Sequence, residues 1–179
     1  INGGHLSSNL CVVDATIALF RKFDFSKDII IFDTGHQTYS YKILSGRNLT
    51  NLRKKRSVSG FQKLSESIYD HYECGHTGTA ISAAFGMAKA RDLKNENNYV
   101  ISFIGDASIA NGIAFEGLNL VGKYDKNFIV VLNDNNMAIS KPVGVLSDLF
   151  VEDNKDNFFR NLGYEIIGPI DGHNIKQIE

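Results

Sequence analysis

The chain has 179 residues, 43% of them hydrophobic, and a formal net charge of −1. That length suits one domain with a sizeable core, and a near-zero charge gives no ground for nucleic-acid or membrane-surface binding. No apolar stretch approaches the length of a membrane span, so neither a span nor a signal peptide is expected, while two cysteines without metal spacing or disulfide density, Cys11 and Cys74, fit a reducing, cytoplasmic compartment.

The chain opens in Asn2-Gly3-Gly4-His5, a Gly-rich turn without an initiator Met, so the protein is expected to begin upstream. Residues 9–22 carry Leu10, Val13, Ile17, Ala18 and Phe20 at helical spacing, with Cys11 as a core residue, and residues 29–33 form a short buried strand. Residues 34–73 read as loops and short helices, long for a mere connection and so of functional interest. Within them Arg53-Lys54-Lys55-Arg56 reads as a solvated run. A small-residue helix over 77–93 and a polar turn over 94–98 lead into a strand at 99–104, a helix over 109–124 and a second strand at 128–132. Residues 141–157 lose periodicity; a helix at 158–162, a strand at 164–167 and a turn at 168–173 follow. Helices alternating with short apolar strands predict an α/β fold, a doubly wound, mostly parallel sheet with helices on both faces.

Two strand ends carry the strongest chemical signal. Gly105-Asp106-Ala107-Ser108 closes one apolar run and Asn133-Asp134-Asn135 closes the next, with Asp106 and Asn135 lying 29 residues apart. In a βαβ unit the two strands are parallel, so both ends fall at one edge of the sheet. A carboxylate and an amide oxygen give a hard cation such as Mg2+ two ligands and leave positions open for phosphate oxygens. The N-terminus of the following helix favours the same anion. Gly-Asp alone is equally a common way to start a loop and cap a helix; the second strand in register is what selects the metal–diphosphate reading.

Four of the five histidines follow a glycine: Gly4-His5, Gly35-His36, Gly75-His76 and Gly172-His173. Glycine admits unusual dihedrals and close ligand approach, and histidine titrates near neutrality. His36 and His76 fall at element ends, where α/β proteins place ligands. His71 lacks the glycine and reads as structural. A zinc site of His5, His36 and His76 is an alternative, without the local spacings of known zinc motifs.

These residues, together with Gly3-Gly4-His5-Leu6-Ser7-Ser8-Asn9, Phe32-Asp33-Thr34-Gly35-His36-Gln37-Thr38-Tyr39, Lys42-Ile43-Leu44-Ser45-Gly46-Arg47, Leu132-Asn133-Asp134-Asn135-Asn136-Met137-Ala138-Ile139-Ser140 and Gly168-Pro169-Ile170-Asp171-Gly172-His173, span nearly the whole chain. The sequence resembles the N-terminal diphosphate-binding part of the 1-deoxy-D-xylulose-5-phosphate synthases, thiamine-diphosphate enzymes related to transketolase. The resemblance implies condensation of pyruvate with D-glyceraldehyde 3-phosphate, with loss of CO2, to give 1-deoxy-D-xylulose 5-phosphate. By the same resemblance Asp106, the Asn135 side chain and the Met137 carbonyl would hold Mg2+ against the diphosphate. Gly75, His76, Thr77, Ala107 and Ser108 would line the cofactor, His36 would contact it near the diphosphate, and His5 would face the reacting carbon, where it can relay a proton or donate to a developing alkoxide. A homodimer is implied as well.

Several positions depart from the family pattern. Ala107 stands where the family has a glycine, and its methyl group is expected to crowd the diphosphate or to strain a positive φ. Thr77-Gly78 replaces Ser-Ser and Ser40-Tyr41 replaces Pro-His. The family has a longer stretch near residues 150–154, so an insert is expected there, and the pyrimidine-binding and C-terminal domains have no counterpart, leaving residues 1–179 as one diphosphate-binding domain. Two other readings stay open: a transketolase-type subunit acting on sugar phosphates with a separate partner chain, and a degenerate cofactor-binding module without catalysis.

Overall fold

The computed structural model describes residues 3–135, 145 and 155–179. Three parallel strands, β1 (Ile29–Phe32), β2 (Val100–Gly105) and β3 (Phe128–Asn133), form a sheet in the order β1-β2-β3. Ile30 pairs with Ile101 and that with Ile129, and Phe32 pairs with Phe103 and that with Val131. Side chains alternate across a strand, so these six point to one face. There they pack with Val12 and Leu19 of the first helical region, with Phe25 and with Tyr41. On the opposite face Ile31, Val100 and Ile104 meet the helices α4 (Ala80–Leu93) and α6 (Gly112–Val121). The predicted doubly wound α/β arrangement is the one observed.

In α4 the fully buried Ala80, Ala84 and Ala88 recur every four residues and face Ile31 and Val100. A stripe of such small side chains lets the helix approach the sheet closely. Gly117 of α6 extends this close packing, since a Cβ there would fall 2.9 Å from Ser82 Oγ and 3.0 Å from the Ile81 side chain of α4. At the amino edge of the sheet the buried Arg91 donates to the carbonyls of Asn98 (2.6 Å) and Asn127 (2.8 Å), joining the turns that enter β2 and β3.

Several boundaries differ from those read in the sequence. The helix expected over 9–22 is two helices, α1 (Leu6–Leu10) and α2 (Val13–Lys22), with the half-buried Cys11 at the break. Next to the break, the Asn9 amide nitrogen donates to both the His5 and His36 carbonyls at 2.7 Å, tying α1 to a distant loop. Within residues 34–73 one short helix forms, α3 (Tyr39–Leu44). The helix expected from residue 109 is also two, α5 (Asp106–Ile109) and α6, separated at Asn111, whose extended backbone (ψ 144°) starts the second. The helix placed at 158–162 runs earlier, as α7 (Lys155–Asn161), and a short α8 (Ile175–Ile178) follows and packs on α2.

The strand expected at 164–167 does not form. Tyr164 and Ile166 alternate with exposed neighbours and pack on the core as strand residues do, and the Tyr164 hydroxyl donates to the Leu118 carbonyl at 2.9 Å. Period-two burial is satisfied by contact with α6 and its neighbours, while the backbone makes no ladder. The expected insert near 150–154 lies outside the described residues. Among the described residues no helix is long and apolar enough to cross a membrane.

Candidate functional site

The carboxyl ends of the three strands converge on one edge. The register pairs Gly105 with Asn133, so Asp106 leaves the sheet beside the turn that carries Asp134 and Asn135. Burial pushes the Asp106 carboxyl above the ordinary carboxylate range, the Ala107 amide pulls it back, and the charge of Asp134 raises it further. Asp134 acts on it because the two strand ends are close. A partly desolvated acid next to another acid is a site that a cation relieves. The Asn135 amide nitrogen lies 3.7 Å from Cys11 Sγ. Met137 lies outside the described residues.

Ala107 and Ser108 sit in the first turn of α5, Ala107 exposed and Ser108 nearly buried. Ala107 is not among the residues with positive φ. The expected backbone strain is therefore absent, because α5 begins directly at Asp106 and places residue 107 in helical conformation; only the bulk of the exposed methyl group remains as a departure.

Asp33, at the end of β1, was read from sequence only as a strand residue. Buried to 4% exposure, its two carboxylate oxygens accept the amides of Gly78 (2.9 Å) and Ala80 (3.1 Å). It thus caps α4 from outside the helix, since the N-cap Thr79 makes no side-chain cap bond. The loop holding Gly75, His76 and Thr77 is anchored by it, and Asn111 completes the anchor by donating to Thr77 Oγ1 at 2.7 Å. Gly78 (φ +86°) fits this crossing because a side chain there would meet Asn111 at 3.1 Å. Gly75, His76 and Thr77 are all exposed, and a Cβ on Gly75 would meet nothing, so this side of the cleft is open to a ligand.

After Asp33 the chain turns through two left-handed residues, Thr34 (φ 61°) and Gly35 (φ 85°). A β-branched residue in that region is a strained position. The turn delivers His36 to the same edge, with its ring 5.4 Å from that of His5 in an edge-on arrangement. Burial, and then the charge of His5, lower the His36 pKa, against the pull of Asp33. His36 Nδ1 is buried and has no hydrogen-bond partner among the described residues. Gly4 (φ +153°) allows the approach of His5, because a Cβ would fall 2.7 Å from the Tyr39 hydroxyl.

Arg53 was read as part of a solvated run. It is exposed, as that reading expects, and its side chain also lies over Gly60 and brings a guanidinium nitrogen beside Gly4, 3.6 Å from where a Cβ would stand. Arg53 has a positive φ (64°), and its amide closes the turn on the Val58 carbonyl at 2.7 Å. Sequence offered no signal for this beyond the nearby glycine. The histidines do not form the zinc alternative: among the described residues no group of three or more His, Cys, Asp or Glu is placed to hold a metal ion.

The family model described as 1-deoxy-D-xylulose-5-phosphate synthase matches residues 1–157. A protein of that name from Clostridium tetani is 43% identical over 221 aligned residues, covering 99% of this chain and 36% of its own length. Another from Lawsonia intracellularis is 50% identical over 168 residues, covering 92% of this chain and 26% of its own. The chain thus spans about a third or less of these relatives. Among solved structures, a transketolase mutant from Pichia stipitis superposes with a TM-score of 0.73 at 22% identity, over 96% of this chain and 32% of its own. A transketolase from Leishmania mexicana superposes at 0.72 and 16%, over 96% and 33%. At such identities these two show a shared fold. On the family match and the sequence identities, the chain belongs to the 1-deoxy-D-xylulose-5-phosphate synthase family.

Proposed function

We propose that the chain is the diphosphate-binding part of a thiamine-diphosphate- and Mg2+-dependent transferase that condenses pyruvate with D-glyceraldehyde 3-phosphate, releasing CO2, to give 1-deoxy-D-xylulose 5-phosphate. That product opens the non-mevalonate isoprenoid route and feeds thiamine and pyridoxal synthesis. The observation that carries the reading is the meeting of Asp106 and the Asn133-Asp134-Asn135 turn at one sheet edge, in a chain of this family.

The residues present fit the cofactor. Asp106 is a desolvated acid suited to a cation, the Gly75 side of the cleft is open, and His36 Nδ1 is a buried polar atom without a partner. Asp106 and the Asn135 side chain, with the Met137 carbonyl that the resemblance adds, would hold Mg2+ against the diphosphate. Thr77, His76, Ala107 and Ser108 would line the bound group. When bound, thiamine diphosphate supplies a carbanion nucleophile for the pyruvate carbonyl and an electron sink for the loss of CO2.

The protein's own part is positioning and proton handling. Burial lowers the His36 pKa and so favours its neutral imidazole, and its buried Nδ1 has no hydrogen-bond partner among the described residues. His5 lies exposed beside it, where its ring can relay a proton or donate to a substrate oxygen that gains charge. Arg53, beside Gly4, adds a positive charge that suits an anionic substrate group. Pyrimidine-binding and C-terminal domains, a homodimeric assembly and a cytoplasmic setting complete the reading. The degenerate-module alternative rested on Ala107, and its helical backbone removes the strain half of that case.

The test is calorimetric titration of thiamine diphosphate into the full-length protein, with Mg2+ and with EDTA, beside Asp106→Ala, followed by an assay of pyruvate with glyceraldehyde 3-phosphate. Mg2+-dependent binding that the substitution abolishes, with product formed by the wild type, is the expected result. Cofactor binding without turnover would favour the degenerate module, and no binding at all would overturn the site.

A further inference from the structure

Behind the loop that carries Arg53 lies a cleft of about 400 Å³ lined by Arg47, Arg56, Ser57, Val58, Lys63 and Glu66. None of the candidate site residues lines it. Its floor is a buried charge network. Lys42, with a fully buried side chain, lies 2.6 Å from Glu66 Oε2, and Arg47, 9% exposed, pairs with the buried Asp70. The other Glu66 oxygen accepts the Ser59 amide at 2.6 Å. Both acids of the floor are thus engaged by the two buried cations, and the floor is close to neutral.

The walls are not. Arg56 and Lys63 are exposed, and neither has an ion-pair partner among the described residues. Arg56 also adopts φ 59°, a left-handed conformation that costs a side-chain-bearing residue stability. Strain of this kind persists where the surroundings hold it and collects at ligand clamps. Here it turns a cation onto the rim of a cleft that already holds a second one.

We propose that this cleft is an anion site for a phosphate monoester, with Arg56 and Lys63 as the contacting cations and Ser57 as an additional donor. Two unpaired cations match a dianion, and arginine's planar fork suits phosphate oxygens. The volume is in the range of small-molecule pockets, larger than inorganic phosphate needs, and Val58 offers an apolar wall to the organic part. Binding there would also brace the turn between Arg53 and Val58, closed by the Arg53 amide on the Val58 carbonyl (2.7 Å) and the Ser57 amide on the Lys54 carbonyl (3.1 Å).

The test is titration of glycerol 3-phosphate into the full-length protein saturated with thiamine diphosphate and Mg2+, at ionic strength held constant with chloride. The comparison is the Arg56→Gly, Lys63→Gln double variant. Glycine accepts the conformation at 56 without strain, so folding is preserved. Saturable binding that weakens at least about tenfold in the double variant is expected, with turnover of pyruvate and glyceraldehyde 3-phosphate unchanged when glycerol 3-phosphate is left out. Identical isotherms for the two proteins, or no saturable binding in the wild type, would overturn the proposal. So would a variant that loses turnover in the absence of the probe, because the cations would then serve the catalytic cleft.

Discussion

Asn9 fastens His5 to the loop of His36. Its amide nitrogen donates to both carbonyls at 2.7 Å, and its oxygen accepts the Tyr39 amide at 2.8 Å. The separation of the two rings is therefore set by a third, buried residue that touches no ligand. Asn9→Ala is expected to lower stability by about 2 kcal/mol through the lost bonds. In the full-length protein it should reduce turnover while cofactor affinity changes little, as His5→Ala should. Chemical denaturation with steady-state kinetics checks this, and a cofactor affinity that falls in step with turnover would contradict it.

Asp33 decides where the cofactor-facing loop sits. Asp33→Ala leaves two amides at the start of α4 without an acceptor and is expected to cost about 3 kcal/mol. Urea unfolding measures the loss. If stability is unchanged, the loop over Gly75, His76 and Thr77 is held by Asn111 alone.

Ala107→Gly separates crowding from strain. Because residue 107 is helical, glycine there should lower the stability of the protein by about 0.5–1 kcal/mol rather than raise it. Titration with thiamine diphosphate is expected to give an unchanged dissociation constant. A clearly tighter one would show that the methyl group crowds the diphosphate.

At the opposite edge of the sheet, the hydrogen bond from Tyr124 (2.7 Å), aided by Arg91 and Lys126 and opposed by burial, lowers Asp92 to about 2. The folded pKa lies below an unfolded value of about 3.9. The contribution to stability is thus fully present above about pH 4 and is lost as pH falls from there toward 2. Melting temperatures of the wild type and Asp92→Asn should differ at pH 7 and converge across that window; a constant gap would show that the carboxylate's charge plays no part.

The sequence by itself determined the elements whose pattern is local. Ile29-Ile30-Ile31-Phe32, the run from Val100 and the run from Phe128 are apolar on both faces, which only strands covered on both sides require, and the helices between them made the pairing parallel. Parallel pairing then put Asp106 and Asn135 at one edge. Family motifs supplied the expected roles of the histidines.

Only the tertiary structure decided the rest, because it depends on contacts between residues far apart in the chain. Asn9 ties α1 to His36, 27 residues away. Asp33 caps α4 from 45 residues upstream. Tyr164 and Ile166 keep the alternation of a strand yet pack on the core without a ladder. Arg53, one charge in an exposed basic run, lies against Gly60 and Gly4, and nothing in its local sequence distinguishes it from Lys54 or Lys55. Periodicity reports which face of an element is buried; which distant group it meets is fixed when the chain closes on itself.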